Sequence, residues 1–296
     1  ILGALSGAAL AQSNVTLYGI VDVNFQYNDP ETGTSTKGIN SGHQSGSRWG
    51  IRGSEALSPN LNAVFTLECG FDISQGTQSQ GGRLFGRQAW AGVAGGWGTL
   101  VGGRIPTFSS GTGTFDIIGL ADPFGTGFGD SSMGSTFTAG GALRLDNTVL
   151  YQSPTWGGFK FGVGYSFNAN GAEASGSGNN TRAAFAGLSF AAGPFWAGLT
   201  YDQIEPADNG LPGVAPTATT AGVPRIPAGA DDQKHLYVGA TFDFKFLKIH
   251  GAYGKEDAVW FSPGGGANAT FIPTTPGADA DSWMVGITVP LFGGNI

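Results

Sequence analysis

Charge is scarce in this chain, cysteine almost absent, and long apolar runs missing altogether. Of its 296 residues, 14 are Lys or Arg and 21 are Asp or Glu, so charged residues make up 12%. That is about half the roughly 25% of an average soluble domain. A net charge of −7, with no basic cluster, argues against a nucleic-acid partner. No apolar stretch reaches the ~18 residues that a bilayer-spanning helix needs. Cys69 stands alone, so no internal disulfide staples the fold. A helical bundle is excluded as well, because 53 residues are Gly and each Gly inside a helix costs ~1 kcal/mol.

In place of charge the chain carries small polar residues together with 21 Phe, 7 Trp and 7 Tyr. So many aromatics argue against disorder. The irregular spacing of the glycines excludes a collagen helix. An all-β chain, polar on one face and apolar on the other, is what remains.

Residues 1–11, ILGALSGAALA, form a short apolar stretch that ends in an A-x-A cleavage pattern. They are expected to be part of a signal peptide whose basic start is missing. The folded domain is then expected over 12–296.

From Asn14 the sequence alternates. Val15, Leu17, Val21, Val23, Phe25 and Tyr27 share one face, with Thr16, Asp22, Asn24 and Gln26 on the other. This predicts one long strand over 15–27. The pattern recurs over 61–71, 159–167, 195–201, 236–246 and 283–291, and less regularly over 47–54, 84–93, 99–104, 143–153, 181–191 and 248–256. The expected total is about twelve strands. Short connections (55–60, 94–98, 154–158, 192–194) alternate with long ones (28–46, 105–142, 168–180, 204–233, 257–281) rich in Gly, Pro, Thr and Asn. Strands of ~9–11 residues cross a bilayer at a tilt, and short turns opposite long loops suit an outer-membrane barrel. In lipid only helices or a closed sheet pair every backbone polar group. The prediction is an antiparallel transmembrane β-barrel, with outer-membrane lipid as its surroundings. Tyr18, Tyr27, Trp49, Trp90, Trp97, Tyr151, Trp156 and Trp283 are expected at its aromatic girdles.

Several segments carry a more specific likeness. They are VTLYGIVD from Val15, GSRWGIRGSE from Gly46, AVFTLECGF from Ala63, RLFGRQAWAGV from Arg83, GTLVGGR from Gly98 and DNTVLYQSP from Asp146. Together they resemble the Gram-negative general porins of the β-proteobacterial type, densely over about 12–165 and more loosely beyond. The resemblance implies a sixteen-stranded barrel, a homotrimer, and passive diffusion of small hydrophilic solutes and ions. It also implies a third loop, around 107–142, folded into the lumen. Set against the family, the chain is expected to lack its last four strands and terminal aromatic residue.

In such a channel function lies in charges that face the lumen. Alternation places Arg48 and Arg52 opposite Trp49 and Ile51. A charge on the lipid face costs ~2–4 kcal/mol at midplane, so the arginines point inward. The same reasoning turns Arg87, Arg104 and Arg144 inward. The resemblance makes Arg48, Arg87 and Arg144 the basic wall of the constriction, with Arg52 and Arg104 as further members. Asp116, Asp122 and Asp130 are then the acidic side on the loop. Asp22, Glu68 and Asp146 are expected to face the lumen too, damping a mild anion preference. Arg83 is the arginine most readily assigned to a rim ion pair, and Cys69 is expected on the outward apolar face.

The remaining motifs are weak. The run from Gly125 to Asp130 lacks the Lys-Ser/Thr of a phosphate loop. His43, His235 and His250 are scattered, so neither a metal nor a cofactor is expected. No catalytic set is recognisable. A substrate-specific channel and a non-conducting adhesion or structural barrel are the alternatives.

Overall fold

The computed structural model describes residues 14–29, 34–123, 144–208, 210, 228–259, 277–291 and 294–295. The leader expected at 1–11 and the run from Gly125 to Asp130 lie outside them. The strands are β1 (Asn14–Ile20), β2 (Val23–Asn28), β3 (Thr36–Ser41), β4 (Arg48–Ser58), β5 (Leu61–Asp72) and β6 (Thr77–Gln78). They continue with β7 (Gln88–Gly95), β8 (Gly98–Pro106), β9 (Arg144–Gln152), β10 (Phe159–Ser166), β11 (Arg182–Ala192) and β12 (Phe195–Glu205). The last are β13 (Gln233–Asp243), β14 (Lys248–Val259), β15 (Ala278–Thr288), β16 (Pro290–Leu291) and β17 (Gly294–Asn295).

One antiparallel sheet of 13 strands runs β1-β4-β5-β7-β8-β9-β10-β11-β12-β13-β14-β15, with β6 beside β5; β2–β3 and β16–β17 are separate hairpins. Register keeps the two faces apart. Leu17, Ile51, Leu67 and Ala89 lie side by side on adjacent strands, and the next row is Thr16, Arg52, Thr66 and Trp90. A slip of one residue would exchange the faces. Short links at 59–60, 96–97, 153–158, 193–194 and 244–247 alternate with long ones at 21–47, 73–87, 107–143, 167–181, 206–232 and 260–277.

Three expectations need correcting. The strand expected over 15–27 is divided at Val21 and Asp22. Asp22 leaves the ladder to bind the segment returning from β3: its carboxylate accepts the N–H groups of Gln44 and Ser45, and its carbonyl accepts Gly42 N–H. The connection expected to be loop over 28–46 contains β3. Second, β13 stops at Asp243, because Lys245 adopts a φ of 74° and Phe244 N–H bonds to Leu247 O within the turn. Third, Cys69 keeps the expected outward face, opposite Trp49 on the neighbouring strand, but it is 2% exposed and so covered there, where the Trp49 and Phe85 rings meet at 6.2 Å.

The two-faced reading also changes on the inner side. Besides polar residues, that side carries an apolar seat for the loop between β8 and β9. Phe108, Phe115 and Ile117 of the loop cluster with Trp90, Val101, Leu150, Phe185 and Ile204 of the sheet, and Val64 and Trp196 pack against them. Further along, Ile118 and Ala121 pack on Tyr237. Trp90 and Tyr18 therefore belong to the interior and not to the girdles. Trp97, Tyr151, Trp156 and Phe161 form one ring cluster beside the short links 96–97 and 153–158, with Trp97 stacked on Tyr151 at 6.1 Å.

Candidate functional site

The third loop leaves β8 at Pro106 and crosses the inside of the curled sheet. Phe108 O accepts the N–H groups of Ile117 and Ile118, which closes the first arc of the loop. Within that arc Asp116 accepts Gly111 N–H at 2.8 Å and Gly119 N–H at 3.0 Å. A short 3-10 turn, Ile118–Ala121, follows.

Side chains tie this loop to strands far apart in the sheet. On β7, Gln88 Oε1 accepts the Thr114 hydroxyl at 2.9 Å, and the preceding residue, Arg87, donates from Nη2 to Thr112 Oγ1 at 3.3 Å. On β12, Asp202 accepts the Ser109 hydroxyl. On β14 and β15, His250 reaches Ala121 O and Thr288 donates to Pro123 O. Burial of each large apolar side chain contributes ~1.5–3 kcal/mol, so Phe108, Phe115, Ile117 and Ile118 dominate the docking.

The seat depends on glycines of the inner face. A Cβ on Gly187 would stand 2.5 Å from Ile117 Cδ1, and one on Gly239 would stand 2.6 Å from Ala121 Cβ. A Cβ on Gly162 would collide with the Phe108 ring.

Between the loop and the wall of β1, β4, β5 and β7 lies an open cavity of about 1150 Å³. Arg48, Arg52, Arg87 and Glu68 line its wall, Asp116, Leu120 and Asp122 its loop side, and Lys248 reaches it from β14. Strands near opposite ends of the sheet path thus face one space.

The charges divide into two groups. Arg87 Nε meets Glu68 Oε1 at 2.6 Å, both nearly buried, and Glu68 also accepts the Tyr18 hydroxyl at 2.9 Å. Asp146 is held between Arg83 at 2.8 Å and Arg104 at 2.5 Å. These two carboxylates neutralise arginines, and Glu68 also lines the cavity. Arg48 donates to Gly46 O and Ser45 Oγ, and Arg52 lies 5.2 Å from the Tyr18 ring centroid. Among the described residues neither has a carboxylate partner. Within the cavity lining, the uncompensated charge of the arginines therefore sits at these two positions.

The other expected residues fall elsewhere. Arg144 is 6% exposed, donates to Arg87 O, and is not part of the cavity lining. Arg104 is likewise outside the lining, bonded to Gly86 O and Asp146. Asp22 clips the β3–β4 segment. Asp130 lies outside the described residues. Burial pushes the Asp116 carboxyl up to about 7, against the lowering effect of its backbone N–H donors.

Sequence reasoning missed Gln88, Lys248 and Thr288, and did not assign Tyr18 or His250 to the site. Parity along the strand was the available signal, since Tyr18 and His250 both alternate with outward apolar neighbours.

The comparisons with known proteins agree with this geometry. A Gram-negative porin family model matches residues 1–294. An outer membrane porin protein of Bordetella pertussis is 36% identical, covering 99% of this chain and 80% of its own length. Outer membrane porin protein 32 of Delftia acidovorans is 32% identical over 84% of this chain and 65% of its own. Among solved structures, an anion-selective porin from Comamonas acidovorans superposes with a TM-score of 0.68 at 26% identity, covering 95% of this chain and 76% of that one. The chain belongs to the Gram-negative porin family: it is an outer-membrane protein that lets small solutes and ions diffuse across the membrane, and not an enzyme.

Proposed function

We propose that the cavity beneath the third loop is the constriction of an anion-preferring diffusion channel. The observation that carries this is a pair of arginines, Arg48 and Arg52, that have no carboxylate partner among the described residues and lie in the lining of a space whose other basic residues include Lys248. Arg87, balanced by Glu68, completes the wall and holds Thr112 of the loop. Arg104 and Arg144 brace the wall from outside the lining, with Asp146 compensating Arg104. Asp116 and Asp122 form the opposing side.

No bond is made or broken during transport, so selectivity is electrostatic. A unit charge passing ~5 Å from a guanidinium gains about 0.8 kcal/mol even at the dielectric of water. That favours an anion roughly fourfold per arginine. The field between guanidinium groups and loop carboxylates also orders water, which disfavours apolar solutes. The name of the Comamonas acidovorans relative, an anion-selective porin, supports the sign. In the same reading the sheet closes into a sixteen-stranded barrel, three copies assemble, and residues 1–11 belong to an export signal.

Reversal potentials across planar bilayers in a salt gradient test the proposal. Wild-type protein is expected to favour anions, and the double substitution Arg48→Gln, Arg52→Gln to bring the ratio close to unity. A cation-preferring wild type, or an unchanged double variant, overturns it.

A further inference from the structure

Where the third loop reaches the far wall, the hydrogens do not balance around a neutral histidine. His250 on β14 is 3% exposed. Its Nδ1 lies 3.0 Å from Ala121 O, and its Nε2 lies 3.0 Å from Thr288 Oγ1. The Thr288 hydroxyl lies 3.2 Å from Pro123 O. Both carbonyl oxygens accept only, a threonine hydroxyl brings one hydrogen, and a neutral imidazole brings one more. Three contacts need three hydrogens. With the ring neutral and Nδ1–H given to Ala121 O, Thr288 either donates to Pro123 O, leaving two lone pairs facing each other at Nε2, or turns to Nε2 and abandons Pro123 O. The imidazolium satisfies all three: Nδ1–H to Ala121 O, Nε2–H to Thr288 Oγ1, and the Thr288 hydroxyl to Pro123 O.

We propose that His250 is a positioning residue for the constriction, its protonation fastening the 118–123 segment of the third loop to β14 and β15 and its deprotonation loosening it. That segment carries Leu120 and Asp122 to the cavity, so the latch sets how steadily the loop side of the pore is held. The packing leaves little slack. A Cβ on Gly286, the residue paired with His250 on β15, would stand 2.8 Å from the Pro123 ring. The charged groups facing the imidazole are Asp122 on the loop and Lys248 on its own strand, of opposite sign. Across the ladder, β13 presents the neutral Thr241 and β15 presents Gly286 and Thr288.

The inference rests on the reading of this loop as the constriction, and two measurements keep them separable. In planar bilayers, brief closures of the wild-type channel are expected to rise roughly three- to tenfold from pH 5 to pH 8, the factor set by one ordinary hydrogen bond. His250→Gln should show no such dependence. Thr288→Val, which cuts the link to Pro123, should close at the high-pH frequency throughout. A His250→Gln channel that retains the wild-type pH dependence overturns the latch and leaves the constriction reading intact. Independently of conduction, the ring-nitrogen NMR shifts of His250 should report an imidazolium at pH 5 that is lost by pH 8. A ring that stays neutral down to pH 5 overturns the latch, whereas absence of any conduction overturns the constriction reading.

Discussion

Asp116 shows how the charge of a loop residue is set by where the loop docks. Two backbone N–H groups favour its carboxylate, yet the surrounding loop and wall remove enough water to bring the carboxyl up to about 7. Desolvation outweighs hydrogen bonding here. The sign follows directly. Above that value the loop side carries an extra negative charge beside the arginines, and below it the charge is gone. Anion preference should therefore rise as pH falls from 8 to 6, visible as a shift of reversal potential toward the anion limit. Asp116→Asn should hold the low-pH value at both ends, and a wild-type potential independent of pH would sink the assignment. The sequence gives no hint of this shift, because Asp116 reads simply as an acid on a loop. Tyr18 and Trp90 are instructive for a different reason. Their aromatic character suggests a membrane girdle, but their position in the alternation puts them inside, where Tyr18 bonds Glu68 and Trp90 meets the Phe115 ring at 5.2 Å. Parity is the stronger guide, since a side chain cannot change face without a register slip.

At the scale of elements, the third loop and its glycine seat act as one unit. Gly162, Gly187 and Gly239 hold the wall back so that Phe108, Ile117 and Ala121 fit against it. A branched side chain there must push the loop into the pore, since both partners are anchored. Gly187→Val is expected to lower single-channel conductance and to destabilise the protein by about 1–3 kcal/mol through overpacking. Gly251→Val, whose Cβ meets nothing within 4 Å, should conduct and melt like wild type. Equal conductance of the two variants would show that the loop does not depend on these glycines. The strands themselves were legible, because period-two alternation survives from sequence to sheet with boundaries shifted by a few residues. The division between β1 and β2 was not, since alternation continues through Val21 and Asp22 while the backbone of Asp22 turns to a neighbouring segment. The loop's apolar seat was also hidden: Trp90, Leu150 and Phe185 look like ordinary strand residues until something docks on them.

For the whole molecule, the alternation of short and long connections fixes sidedness. In outer-membrane proteins the short turns face the periplasm and the long loops the exterior. The link 244–247 is short and carries Lys245, whose side chain is 84% exposed. The link 167–181 is long and carries the exposed Ser175. The native background is favourable for a thiol test, because Cys69 is 2% exposed and a bulky maleimide should not reach it. On intact cells Ser175→Cys should label with a maleimide too large for the pore, and Lys245→Cys should not. Opening the outer membrane should make Lys245→Cys label as fully as Ser175→Cys, while the wild-type protein stays unlabelled in both conditions. Labelling of Lys245→Cys from outside would reverse the insertion and with it the direction in which solutes meet the arginines. It would also move the rings of Trp97, Tyr151 and Trp156, which cluster beside the short links, from the periplasmic to the outer rim. Sidedness and the position of the aromatic cluster thus stand or fall together, because the strands between them are continuous.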